Sequence, residues 1–83
     1  MKKLCSVRLG AIDKVKRFPV IASSYESDIL LIHDKYTVDG TSIMGVMSLN
    51  LSVPVGVYII EKHEGDAENF LAQLKLEGFE VTE

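Results

Sequence analysis

The residues that could do chemistry in this chain are few and mostly isolated. Two histidines, His33 and His63, stand thirty residues apart. That separation is no metal-ligand spacing, and neither histidine has an arginine or helix start beside it that would activate it as a nucleophile. One cysteine, Cys5, excludes an internal disulfide and suits a reducing compartment. Glu61, Glu64, Asp66 and Glu68 form an acidic group at the start of a helix pattern, where negative charge suits the helix dipole; no metal site is expected there. Gly40 and Gly45 lack the spacing and the following lysine of a phosphate-binding loop. Ser42 is different. It precedes the apolar run Ile43-Met44-Gly45-Val46-Met47, so its hydroxyl can cap a short helix, and a phosphate placed there would meet free amides.

The elements that must position these residues follow from periodicity. Leu4 to Leu9 alternates, with Cys5, Val7 and Leu9 on one face, and Gly10 ends this first strand. Ile12, Val15, Phe18, Ala22 and Tyr25 make a helical stripe with Asp13 in its first turn. Pro19 interrupts the stripe, which predicts a kink or a broken turn between Arg17 and Val20, or a shorter helix. Asp28 to His33 and Tyr36 to Val38 form a hairpin across Asp34-Lys35. A short helix from Ile43 to Leu49 follows, then a fourth strand from Val55 to Lys62. Asp66 is expected to cap a last helix carrying Ala67, Phe70, Leu71 and Leu74, which Gly78 ends.

The order β-α-β-β-α-β-α in 83 residues predicts a single α+β domain over residues 1–83, an antiparallel sheet with helices covering one face. The net charge of −3 and the absence of a basic patch argue against nucleic-acid binding. From Gly40 to Ile60 no residue is charged, but three glycines, Asn50 and Pro54 argue for helix, loop and buried strand rather than a membrane span. No signal peptide is read at the start, because Arg8 and Asp13 interrupt any apolar run.

The run Tyr36 to Leu49 resembles HPr, the histidine-containing phosphocarrier of the bacterial sugar phosphotransferase system. Its sharpest part is Ser42-Ile43-Met44-Gly45-Val46-Met47-Ser48-Leu49, and Glu77-Gly78-Phe79 is similar to the family's ending. The resemblance implies an open-faced sandwich of four antiparallel strands with three helices on one face, and a cytoplasmic protein without cofactors. It also implies partners: enzyme I, sugar permease domains, HPr kinase and transcriptional regulators. Its histidine position, counted back from Ser42 without gaps, falls at Ala11, its arginine position at Asp13 and its proline position at Lys14. An alanine methyl cannot accept a phosphoryl group, and Asp13 repels the phosphate that an arginine attracts.

The expectation is therefore a non-catalytic docking or regulatory module rather than an enzyme, with Ala11 and Asp13 marking a degenerate active site. Ser42 is the candidate for regulatory phosphorylation, and Ile43, Met44 and Met47 for partner binding. By helical spacing, Val46 and Leu49 face the core while the other three face outward. Two rivals stand beside this reading: a working phosphocarrier that uses His33 or His63, and a structural or oligomeric protein with Ile43, Met44 and Met47 in a self-interface. Partner, sugar pathway and oligomeric state are left open.

Overall fold

The alternating segments pair into one five-stranded sheet in the order β3-β2-β4-β1-β5, with every neighbouring pair antiparallel. The structure, a computed structural model, describes all residues from Met1 to Glu83. Its elements are β1 (Lys2–Arg8), α1 (Ile12–Ser23), β2 (Asp28–His33), β3 (Tyr36–Asp39), α2 (Ile43–Met47), β4 (Val55–Ile60), α3 (Asp66–Leu76) and β5 (Glu80–Thr82). β1 and β2 both flank β4, so the first two strands run parallel to each other without touching.

The sheet has one strand more than expected. Ser6, Val7 and Arg8 pair with Thr82, Val81 and Glu80. A three-residue strand after a helix-ending glycine is too short to show alternation. It gives β1 a second neighbour and covers what would otherwise be an open edge.

One face of the sheet carries the core. Cys5, Val7, Ile29, Leu31, Val55, Val57 and Ile59 are buried there with Val15, Phe18, Phe70 and Leu74 of the helices. Phe18 lies at the centre, edge-on to Phe70 and Phe79 with centroids 5.6 and 6.0 Å away. Such contacts add to the area each ring removes from water. The alternate residues Leu30, Ile32 and Tyr58 remain half-exposed on the opposite, uncovered face.

Three local expectations need correction. α1 runs unbroken through Pro19, which is itself buried. The lost hydrogen bond and ring clash are costs measured in isolated helices; here Val15, Phe18, Ile21 and Ala22 bury one side of α1 and hold it. α2 stops at Met47 rather than Leu49: at Ser48 both the amide and the hydroxyl, the latter at 2.6 Å, donate to the Gly45 carbonyl and close the last turn. The cap of α3 is Gly65, in the left-handed region at φ 91°, and Asp66 is the first helical residue with its side chain turned inward. Gly78, at φ 81°, does end α3: its amide donates to the Lys75 carbonyl and that of Phe79 to Leu74.

The uncharged stretch from Gly40 to Ile60 resolves into loop, α2, loop and β4. No helix is long and apolar enough to cross a membrane.

Candidate functional site

α2 is built from its cap outward. Ser42 has extended backbone, φ −94° and ψ 114°, and its Oγ accepts from the Gly45 amide at 3.1 Å. The loop before it is fixed by Asp39, whose carboxylate accepts from the Thr41 amide at 2.9 Å and hydroxyl at 2.7 Å. Those bonds hold the Asp39 carboxyl below its ordinary range, the amide bond first. A Cβ on Gly40 would stand 2.9 Å from the Ile29 carbonyl oxygen and 3.2 Å from the Phe18 ring. Only glycine lets this loop lie against β2 and α1.

With that anchoring, the helical period divides the apolar residues. Val46 and Leu49 are buried, while Ile43, Met44 and Met47 are 43%, 80% and 50% exposed. α2 packs on α1. Gly40, before α2, lies close enough to Phe18 that an added Cβ would meet its ring, and the Gly10 amide, before α1, donates to the Leu51 carbonyl at 2.9 Å. The segment from Gly40 to Leu51, which carries α2, thus runs from beside Phe18 back to the residues before α1. Ile12, Lys16 and Val20, four residues apart, form an exposed stripe of α1. Ile43, Met44 and Met47 are thus exposed apolar residues of α2, and Ile12 is one at the start of the helix on which α2 packs.

The start of α1 borders this face. Ala11 is the N-cap, with exposed methyl and no side-chain cap bond. Asp13 is exposed in the first turn. Two of the cations of α1 are engaged elsewhere. Arg17 forks onto the Glu77 carboxylate at 2.6 and 2.9 Å, and Lys14 donates to the Glu77 carbonyl at 2.7 Å with its ammonium 5.0 Å above the Phe79 ring. Bonds from Arg17 and then Gln73 hold the Glu77 carboxyl down at about 2.

The two histidines do not join this face. His33 is at the β2–β3 turn, at the same end of the sheet as Gly10 but two strands away, about 10 Å across the ladder. Its Nε2 is 3.5 Å from the Asp34 carboxylate. His63 follows β4 at the opposite end of the sheet from Gly10, with Nδ1 3.3 Å from Asp66. Each has a carboxylate as partner and no cation.

The buried network of Asp66, a residue the sequence reads only as a helix cap in an acidic group, is what sequence reasoning missed. Its buried carboxylate accepts from the Ser27 amide at 3.1 Å and hydroxyl at 2.8 Å, and the Lys62 amide donates in turn to that hydroxyl at 2.8 Å. Burial works against the charge, yet Ser27 and His63 hold the carboxyl below its ordinary range. Of the other acidic residues, Glu61 accepts from the Ala67 amide at 2.9 Å. No group of three or more His, Cys, Asp or Glu side chains converges as metal ligands would. Cys5 is buried in the core, which pushes its thiol up to about 11.

Comparison with known proteins places this geometry. The family described as PTS HPr component phosphorylation site matches residues 14–76, a stretch that begins just after Ala11 and Asp13. Among solved structures, HPr-C-His from Thermoanaerobacter tengcongensis is similar to this chain at 30% identity, over 89% of this chain and 90% of that one, with a TM-score of 0.72. No curated protein matches the chain.

Proposed function

This chain belongs to the PTS HPr family, and we propose that within it the domain is a docking or regulatory module that does not itself carry phosphate. The observation that carries this reading is the face around the start of α1. Ile12, Ile43, Met44 and Met47 are exposed together beside a helix whose cap, Ala11, has no nucleophile. Phosphoryl transfer through histidine needs a nitrogen lone pair and a positive neighbourhood for the incoming group. At this place the chain offers a methyl and the Asp13 carboxylate, and of the nearby cations Lys14 and Arg17 are already bound to Glu77, which leaves Lys16 alone. His33 and His63 each face a carboxylate, which would repel a phosphoryl group.

The partners that fit are proteins that recognise HPr: enzyme I, permease domains and transcriptional regulators. Met adapts to differently shaped partners, which suits a face used by more than one of them. HPr kinase is the partner for Ser42. Phosphorylation there would add about −1.5 to −2 charges beside a stretch that has none, and so change which partners bind.

The test is competition. A competent HPr is labelled by enzyme I and phosphoenolpyruvate in the presence of increasing amounts of this chain. The chain is expected to slow labelling, and the Met44→Ser, Met47→Ser double variant to slow it far less. Equal inhibition by both proteins would remove this face from the reading.

A further inference from the structure

The sulfur atoms of this chain are divided between core and surface. Cys5 is buried in the core, and burial first, then the Glu83 carboxylate, pushes its thiol up to about 11. It therefore stays a thiol and reacts slowly with oxidants. All three methionines are exposed: Met1, Met44 and Met47. None of them helps to build the core. Met1 precedes β1, whose length of about 20 Å separates it from the start of α1. Met44 and Met47 are three residues apart on α2 and share one side of it, 80% and 50% exposed. The oxidisable sulfur that solvent reaches is thus at the docking surface and at one distant residue.

α2 does not depend on these two side chains for its place. Val46 and Leu49 bury its inner side, the Ser42 hydroxyl caps one end and that of Ser48 closes the other. A polar group added at Met44 or Met47 leaves the core untouched. It does change a surface that is otherwise apolar, within a stretch that has no charge.

We propose that Met44 and Met47 form an oxidation switch: peroxide converts them to sulfoxides, which turns protein partners away. This rests on the docking reading and adds a means of regulating it. Hydrogen peroxide transfers one oxygen to the thioether sulfur; the O–O bond breaks, the sulfur gives up two electrons and water leaves. The sulfoxide oxygen is a strong acceptor, and removing it from water opposes association. Methionine sulfoxide reductases with a thiol reverse the step, which makes it a switch rather than a lesion.

The test treats the full chain with hydrogen peroxide, removes the oxidant and repeats the competition with HPr labelling, beside peptide mass mapping and circular dichroism. One added oxygen is expected on each of Met44 and Met47, on Met44 first, and none on Cys5. The fold should be unchanged, and about tenfold more chain should be needed for the same inhibition. Treatment with the reductases should restore the original inhibition. Undiminished inhibition with both sulfoxides mapped overturns the proposal. So does a loss that follows the Met1 sulfoxide over the time course, a loss that the reductases do not reverse, or a loss of circular dichroism on oxidation. An untreated chain that fails to slow labelling removes the docking reading and the switch with it. Treated and untreated chains that slow labelling equally remove the switch alone.

Discussion

The two sides of α1 contrast. Toward α3, polar groups are tied down: Arg17, Lys14 and Gln73 all bond Glu77, and near the start of α3 Ser27 and Asp66 close a buried network with the Lys62 amide. Toward α2, the surface is almost free of charge, and Met44 and Met47 stand in water. The first side spends its side chains on holding the fold. The second leaves them unbonded, as the proposed docking role requires. The difference implies that stability and docking can be disrupted separately.

The sharpest way to break that separation is to remove the floor both sides share. Phe18→Ala should cost about 3–5 kcal/mol in urea denaturation, because the ring is fully buried against Phe70 and Phe79. Gly40→Ala should cost about 1–3 kcal/mol in the same measurement, since the new Cβ meets a backbone oxygen that cannot turn away.

On the α3 side, the expected signature is pH dependence. The Glu77 carboxyl sits at about 2 in the folded chain against an ordinary value of 4.5. The unfolded chain therefore takes up the proton first as pH falls. The stabilisation is complete above about pH 4.5 and is lost progressively towards about pH 2. Glu77→Gln should flatten that part of a stability-against-pH curve; an unchanged curve would detach Glu77 from acid stability. On the α2 side, Met44→Ser with Met47→Ser should change stability by no more than about 0.5 kcal/mol in urea while relieving the inhibition of HPr labelling. A large loss of stability would mean that these methionines serve the fold.

Much of this arrangement was legible in local patterns. The stripe Ala67, Phe70, Leu74 and the alternation of Cys5, Val7 and Leu9 are short-range signals, and they identify buried faces. The exposure of Ile43, Met44 and Met47 follows from three- and four-residue spacing once Val46 and Leu49 are turned inward. What escaped depends on distant partners. β5 is recognised only by its pairing with β1, and Pro19 is tolerated only because the core holds α1 on one side. Asp66 reads as a cap until Ser27, thirty-nine residues earlier, is placed beside it. The Arg17–Glu77 fork likewise joins residues sixty apart, and no periodicity announces it. At the site, the reading of Ala11 and Asp13 as a degenerate active centre is an expectation that rests on resemblance alone.

The central claim is that this member of the HPr family does not carry phosphate on histidine. Its most direct test is the intact mass of the chain after incubation with enzyme I and phosphoenolpyruvate, beside a competent HPr as control. The expected result is no added mass on this chain while the control is labelled. One acid-labile phosphoryl group on this chain, mapped to His33 or His63, would contradict the claim and make the domain a phosphocarrier by another route.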